Sequence, residues 1–156
     1  MNKFKIETPD KALDLLFNEY LLYQVLSSRF FGRCGFYQTG GAVGFRDKLQ
    51  DCLAVLYHDP LKVRNFILEA AAHQYEEGDV QHWWHEPRYG VRTRITDDRL
   101  FLAYVTMEYI DFTGDYAILN EKVPYLKSLK LEPHEKSRYE YPEISELSEP
   151  LLSHIE

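Results

Sequence analysis

The sequence predicts an all-α protein of four or five helices with long loops between them. Its longest segments carry apolar residues at helical spacing, helix-start residues precede them, and glycines follow their ends. Alternation of apolar and polar residues, which indicates a half-buried strand, is confined to a short hairpin expected near "YGVRTRI". With 156 residues, 45% of them apolar, the chain is long enough to build one domain around a core.

The first helix is predicted to begin with Thr8 as its N-cap and Pro9 in its first turn, where the missing N–H of proline costs nothing. It is expected to run to about Phe31. Its leucines and aromatic residues occupy two sides, so it needs apolar cover on two sides. A glycine-rich segment, residues 32–44, supplies the backbone positions that end it.

Two further helices are predicted after this segment. The second has the sequence "FRDKLQDCLAVLYH". The third starts at Asp59 and Pro60, a capping residue followed by a proline in the first turn. It is expected to stop at Gly78, as at a helix C-cap.

The fourth helix, "DRLFLAYVTMEYIDFTG", is expected to be capped by Thr96 or Asp97 and closed by Gly114. A shorter helical piece, "DYAILNEKV", follows. The rest of the chain is acidic, contains prolines and has few apolar residues that could close a core. We therefore divide the chain into residues 1–128, the helical portion, and residues 129–156, the tail.

Composition and charge exclude several classes of function. The net charge of -7 argues against general nucleic-acid binding, which needs a basic surface. No apolar run approaches a membrane span and the start lacks the apolar middle of a signal peptide, so a cytoplasmic protein without membrane contact from this segment is expected. Cys34 and Cys52 form no CxxC pattern and are expected to be buried, small apolar residues.

The second helix carries a polar group in an otherwise apolar segment. Asp47, Gln50 and Asp51 fall at i, i+3 and i+4 on one face, with Arg46 beside them. This face is either a solvated stripe or part of a ligand site. Carboxylates and arginines bind sugar hydroxyls, and the preceding glycine segment favours the ligand site because it admits a close backbone approach.

The "HWWH" segment allows three interpretations. The spacing of three could place His82 and His85 on one helical face, but no acidic or thiol pattern accompanies them, so no metal site is predicted. Trp83 and Trp84 either anchor the core or line a sugar pocket, since aromatic faces pack on the C–H surfaces of sugar rings. Both alternatives stay open.

Asp97 and Asp98 stand side by side at the start of the fourth helix. Adjacent residues on a helix point about 100° apart, so the two carboxylates cannot flank one scissile bond as catalytic pairs do. We expect one of them to be a helix cap and the other, Asp98, to be a ligand contact.

Three blocks of the sequence resemble the catalytic domain of glycoside hydrolase family 94. They are "TPDKALDLLFNEYLLYQVLSSRFFGRCGFYQTGGAVGFRDKLQDCLAVL", "QYEEGDVQHWWHEP" and "GVRTRITDDRLFLAYV", and together they cover about residues 6–125. That family comprises cellobiose and diacetylchitobiose phosphorylases and the phosphorylase-like domain of cyclic β-1,2-glucan synthases. The GFYQ, GFRDxLQD, DVQHWWH and RTRxxDD forms look most like the glucan-synthase branch.

The resemblance implies a partial (α/α)6 barrel, with residues 1–128 as its N-terminal portion and residues 129–156 leading toward its remainder. Family members cleave a β-glucosidic bond with inorganic phosphate and inversion, giving an α-sugar 1-phosphate. Phosphate is the nucleophile, so the protein supplies one carboxylic acid, and no cofactor is implied. The family's acid lies in an Asp-Trp-Asn-Asp motif that does not occur in this sequence. The isolated chain is therefore expected to be inactive.

The resemblance also assigns substrate-binding residues. Arg33 and Asp47 match family residues that hold the hydroxyls of the glycone in subsite -1. Cellobiose phosphorylases place an arginine in the glycine loop before that aspartate, where this sequence has Gly41, so cellobiose is not implied as the substrate. The other expected substrate-binding residues are Arg46, Gln38, Trp83, Trp84, His85 and Asp98.

Two hypotheses about function follow. In the first, the chain is part of a glycoside phosphorylase, whose partners are a β-linked glucose oligosaccharide and the rest of the catalytic barrel, and the resemblance also allows a homodimer of the complete enzyme. In the alternative, it is a non-catalytic carbohydrate-binding or degenerate remnant of that domain.

Overall fold

The computed structural model describes residues 5–31 and 40–156, and these residues form two antiparallel β-sheets beside their helices. Helices of all types account for 49% of the described residues and strands for 23%. The prediction of an all-α fold, and with it that of a partial (α/α)6 barrel, is therefore wrong. Most of the strands are short and polar. Such strands are stabilised by pairing with the strands beside them, and their own sequences show little of the apolar alternation that predicts a strand.

The elements are as follows. The α-helices are α1 (Lys11–Leu15), α2 (Leu21–Gln24), α3 (Phe45–Val55), α4 (Pro60–Ala71), α5 (Asp97–Thr113) and α6 (Leu151–Ile155), with π-helical segments at Leu16–Tyr20 and Val25–Phe31 and a 3-10 helix at Tyr116–Asn120. The strands are β1 (Val43–Gly44), β2 (Gln81–His85), β3 (Tyr89–Thr93), β4 (Lys122–Lys127), β5 (Ser137–Glu140) and β6 (Glu143–Pro150). The larger sheet has the order β1-β2-β3-β5, and the smaller sheet pairs β4 with β6.

The core lies between three helices and the larger sheet. α3 packs against α4 and α5, α4 packs against α5, and β2 contacts α3. Trp84 of β2 is fully buried there, stacked on Phe66 with 6.5 Å between ring centroids and tilted against His73 at 3.7 Å. Burial lowers the pKa of His73 to about 3, so this imidazole is neutral. Cys52 is buried, as expected, and burial raises the pKa of its thiol to about 12.

The structure describes the N-terminal helical segment as far as Phe31, so its predicted end near this residue stays a prediction; its cap is Asp10 and not Thr8. The Asp10 carboxylate accepts hydrogen bonds from the second and third residues of α1 at 2.9 and 3.3 Å, so one side chain satisfies two free N–H groups. Phe30 is the one buried residue of the segment. The large apolar side chains that remain exposed are Leu13, Leu15, Leu16, Phe17, Tyr20, Leu21, Tyr23 and Phe31.

α4 begins as predicted. Pro60 is its first residue, and the carboxylate of Asp59 accepts a hydrogen bond from the backbone N–H of Lys62 at 3.0 Å. A proline in this position loses no hydrogen bond, because the first N–H groups of a helix have no partner within it. The start of this helix is thus determined locally.

α4 ends at Ala71, before the predicted stop at Gly78. Gly78 has a φ of +89° and lies in a tight turn that brings Gln74 opposite Val80 in an antiparallel bridge. The glycine is required because other residues rarely adopt this backbone conformation. The prediction of a helix C-cap was wrong because a turn and a helix end both favour glycine at positive φ.

α5 closes as predicted at Gly114, which has a φ of +71° and donates its N–H to the carbonyl of Ile110 at 2.7 Å. Thr96 occupies the N-cap position without a side-chain hydrogen bond. The helix expected in "DYAILNEKV" is only a 3-10 turn, Tyr116–Asn120, after which the chain enters β4.

The acidic tail is folded against the rest of the chain. β5 pairs with β3, β6 pairs with β4, and α6 follows directly. Leu151 of α6 is fully buried, and His154 donates a hydrogen bond from Nε2 to the carbonyl of Val123 at 3.1 Å. The division of the chain at residue 128 stays a prediction about a longer domain. No helix within residues 5–31 and 40–156 has both the length and the apolar character needed to span a bilayer.

Candidate functional site

Charged side chains from the first turns of α3 and α5 lie together. The guanidinium of Arg46 stands 3.3 Å from an oxygen of Asp47 and 3.9 Å from an oxygen of Asp97. The same group lies 5.7 Å from the centroid of the Phe101 ring. All three charged side chains are about half exposed, so their attraction contributes little to stability. They remain available to a ligand.

The carboxylate of Asp47 lies on the same face of the larger sheet as Trp83. Gly44 of β1 is the cross-strand partner of Trp83 in β2, and partners in antiparallel strands project to the same face. A Cβ added at Gly44 would stand 2.7 Å from Oδ2 of Asp47. Glycine at this position therefore leaves room for the carboxylate beside Trp83.

Trp83 and His85 extend this face along β2. Their rings meet edge to face with 5.7 Å between centroids. His85 also lies beside the end of the glycine-rich segment, where a Cβ added at Gly41 would stand 3.8 Å from Nδ1. Arg33 and Gln38, which were also predicted to bind substrate, lie outside the described residues.

Trp84 is fully buried and packs in the core, unlike its neighbour Trp83. Of the two interpretations of this tryptophan pair, burial favours core anchoring for Trp84 and leaves Trp83 available to a sugar ring. The Nε1 group of Trp84 has no hydrogen-bond partner within the described part of the chain.

Asp98 is buried and holds the ring of His82. Nδ1 of His82 lies 2.8 Å from one carboxylate oxygen, and the other oxygen has no partner among the residues that the structure describes. Burial raises the pKa of the Asp98 carboxyl, and the hydrogen bond from His82 opposes this shift. The predicted role of Asp98 in substrate binding stays a prediction. Because Asp98 is buried, it would act on a substrate by orienting the ring of His82, which is partly exposed.

We expect Asp98→Asn to change the pH dependence of stability in a defined direction. Because the folded-state pKa of Asp98 lies above its ordinary value of 3.8, protonation favours the native state. The unfolding free energy of the wild type should therefore fall relative to that of Asp98→Asn as the pH rises from below 3.8 through the folded-state pKa. Urea denaturation across this range measures the difference, and a wild type that gains on the variant with rising pH would contradict it.

The predicted polar face of α3 serves two purposes. Asp47 and the exposed Gln50 face solvent, whereas both oxygens of Asp51 accept hydrogen bonds from Nε of Arg29 at 3.1 Å. Burial raises the pKa of Asp51, and the bond from Arg29 acts against that shift. Asp51 thus ties the N-terminal helical segment to α3, and its role is structural.

The site also contains residues that the sequence did not assign to binding, namely Asp97, His82 and Phe101. The position of Asp97 in the first turn of a helix was visible in the sequence and could have indicated that it lies at this site. The contact between His82 and Asp98 had no such signal, because it joins a strand to a helix. Within residues 5–31 and 40–156, no group of three or more histidine, cysteine, aspartate or glutamate side chains is placed to hold a metal ion.

The arrangement combines exposed carboxylates, an arginine and an aromatic ring on one surface. Carboxylates accept hydrogen bonds from hydroxyl groups, guanidinium groups donate to hydroxyl oxygens, and aromatic faces cover the C–H surfaces of sugar rings. These are the groups found in proteins that bind carbohydrates.

Comparison with known proteins identifies the family. Residues 1–141 match the family model described as glycosyl hydrolase 94 superfamily, catalytic domain, and this chain belongs to that family. The resemblance found in the sequence motifs is thereby confirmed.

Several curated proteins are similar to the chain. Cyclic beta-(1,2)-glucan synthase NdvB of Rhizobium meliloti is 46% identical over 143 residues, which cover 91% of this chain and 5% of that protein. Solabiose phosphorylase of Paenibacillus borealis is 33% identical over 78% of this chain and 15% of its own length. N,N'-diacetylchitobiose phosphorylase of Vibrio furnissii is 25% identical over 79% of this chain and 19% of its own length. The chain thus spans less than a fifth of each of these relatives.

Proposed function

We propose that this chain supplies part of the sugar-binding site of a glycoside phosphorylase that acts on β-glucosides. The observation that carries the proposal is the position of Asp47, whose half-exposed carboxylate lies beside Arg46 and on the sheet face of Trp83. The phosphorylases and the glucan synthase among its relatives support a carbohydrate substrate.

Each of these groups has a defined role in the proposed site. Asp47 accepts hydrogen bonds from sugar hydroxyls, Arg46 donates to sugar oxygens, and the ring of Trp83 covers a C–H face. In the complete enzyme, inorganic phosphate attacks the anomeric carbon with inversion while a carboxylic acid protonates the leaving oxygen. An Asp-Trp-Asn-Asp motif, which carries that acid in the family, does not occur in this sequence. The proposed contribution of this chain is therefore to bind and orient the sugar.

Titration of the isotope-labelled chain with the β-1,2-linked disaccharide sophorose and with cellobiose tests sugar binding. We expect saturable changes of the backbone amide signals in the first turn of α3 and in β2, because these elements carry Asp47 and Trp83. Maltose, the α-linked isomer, is the matched control and should cause smaller changes. Signals that stay constant up to millimolar concentrations of both β-linked sugars would refute the proposal.

A second candidate function is carbohydrate binding without turnover. It is favoured by the exposure of Asp47, whose side chain is 57% accessible in this chain alone. A phosphate-dependent assay separates the two functions. Release of α-glucose 1-phosphate by an enzyme assembled from this chain and the remainder of a related catalytic domain supports phosphorolysis, whereas sugar binding with no such release supports the binding function.

A further inference from the structure

One face of the larger sheet carries a group of aromatic rings. Trp83 in β2 is opposite Val91 in β3, and Val91 is opposite Tyr139 in β5, so these three side chains form a row across three strands. His85 is opposite Tyr89, two residues before Val91. Because side chains two residues apart project to the same side of a strand, this second row lies on the same face as the first.

The aromatic face consists of Trp83, Tyr89, Tyr139 and Tyr141. The ring of Tyr139 lies 5.4 Å from that of Trp83 and 4.6 Å from that of Tyr89, and the ring of Tyr141 lies 5.9 Å from that of Tyr89. Each ring therefore touches the next, and together they form one continuous surface.

Three of the four rings of the aromatic face are exposed, and the fourth, Trp83, is partly buried. Tyr89 is 46% exposed, and Tyr139 and Tyr141 are each 51% exposed. The opposite face of the same strands carries Trp84 and Arg92, which are buried. The sheet is therefore stabilised from its other side, and large exposed aromatic surfaces of this kind mark binding sites.

The aromatic face is continuous with the proposed sugar site. Its first ring, Trp83, lies beside the carboxylate of Asp47 through the pairing of Gly44 with Trp83. At the far end, the guanidinium of Arg88 stands 4.8 Å from the centroid of the Tyr141 ring and donates hydrogen bonds to the Tyr141 hydroxyl and the Pro142 carbonyl, and its remaining N–H groups are donors for a ligand. A ligand that extends from Asp47 along the face thus meets aromatic faces first and a polar group last.

We infer that the three tyrosines of the aromatic face bind the units beyond the second of a β-linked gluco-oligosaccharide whose first two units are held at Asp47 and Trp83. This inference rests on the proposed function. The C–H faces of β-linked glucose units pack on aromatic rings, and the tyrosine hydroxyls exchange hydrogen bonds with sugar hydroxyls. A chain of sugars fits this surface better than an apolar protein segment does, because three of its four rings end in a hydroxyl group.

The experiment measures affinity as a function of oligosaccharide length. Calorimetry compares three proteins, namely the wild type, the double variant Tyr89→Ala/Tyr139→Ala and the variant Tyr116→Ala. The ligands are the disaccharides sophorose and cellobiose and the tetra- and hexasaccharides of both series. Tyr116 is the matched control, since it is an exposed tyrosine of the 3-10 helix outside the aromatic face. In the wild type and in Tyr116→Ala, the hexasaccharide of one series should bind about ten-fold more tightly than its disaccharide. In the double variant this gain should disappear, while the disaccharide binds as before.

Three results would overturn the inference, and they differ from failure of the proposed function. The first is a disaccharide that binds while longer chains gain nothing. The second is a gain with length that survives in the folded double variant. The third is self-association of the wild type that is lost in the double variant, with no effect of sugar length on binding. That result would make the face an interface between copies of the chain.

If the double variant does not fold, the wild type alone decides the question. The NMR ring signals of Tyr89 and Tyr139 should then change in chemical shift with the hexasaccharide and not with the disaccharide. Absence of disaccharide binding would instead refute the proposed function.

Discussion

Asp47→Ala is expected to lower kcat/KM for phosphorolysis of a β-glucoside roughly ten- to a hundred-fold in a complete enzyme that carries this chain. The substitution removes the acceptor of the sugar hydroxyls and leaves them without a partner, which costs about 1 to 3 kcal/mol, or more for a charged acceptor. The fold should be little affected, because the Asp47 side chain is 57% exposed and its neighbour Arg46 is solvated. Chimeras in which this chain replaces the matching segment of one of the related phosphorylases allow the measurement through release of the sugar 1-phosphate.

Gln50→Ala is the control for this experiment. Gln50 is exposed on the same helix, one turn after Asp47, and it is not assigned to the sugar site. Its replacement should leave kcat/KM near the wild-type value. A folded Asp47→Ala chimera with wild-type kcat/KM would show that Asp47 is a solvated helix residue and that the family role was wrongly assigned to it.

Gly90→Ala is expected to destabilise the fold by about 3 kcal/mol. A Cβ at this position of β3 would stand 2.3 Å from the carbonyl oxygen of Trp83 and 2.8 Å from Cα of Trp84. Both contacts are to backbone atoms of β2, so the strands must separate to admit the methyl group. The separation would also disturb Trp84, which is fully buried in the core. A loss of this size is a large part of the stability of an ordinary domain.

Urea denaturation of Gly90→Ala and Gly41→Ala measures this effect. Gly41→Ala is the matched control, because its Cβ would have only an ordinary contact, 3.8 Å from Nδ1 of His85. The free energy of unfolding should fall in the first variant and stay within about 0.5 kcal/mol of the wild type in the second. Equal stability of Gly90→Ala and wild type would show that β2 and β3 lie further apart than the structure places them.

The helix ends that were predicted correctly depend on local chemistry. Asp59 and Pro60 begin α4, and Gly114 ends α5, because a capping carboxylate, a proline ring and a glycine at positive φ act within one turn of the chain. Gly78 shows the limit of such evidence. Its backbone conformation was anticipated, but whether a glycine ends a helix or forms a turn depends on the segments that follow it.

The strands were missed because their stabilising partners are distant in the sequence. β5 and β6 contain many charged residues and hydrogen-bond to β3 and β4. In β2 the register shifts between Gln81 and Trp83, which breaks the two-residue alternation that would have indicated a strand. Only β3, within the expected hairpin, had a recognisable pattern.

The sequence by itself determined the family, through ordered motifs that the comparison confirms, and it identified Asp47 and Arg46 as candidate ligands. Only the tertiary structure decided that Trp83 lies on an open face while Trp84 is buried, and that Asp98 holds His82. The physical reason is that a motif records which side chains are present, whereas exposure and pairing depend on the strands and helices packed on either side. Those neighbours come from other parts of the chain, so no local pattern around residues 82 to 85 could distinguish a ring that binds a ligand from one that fills the core.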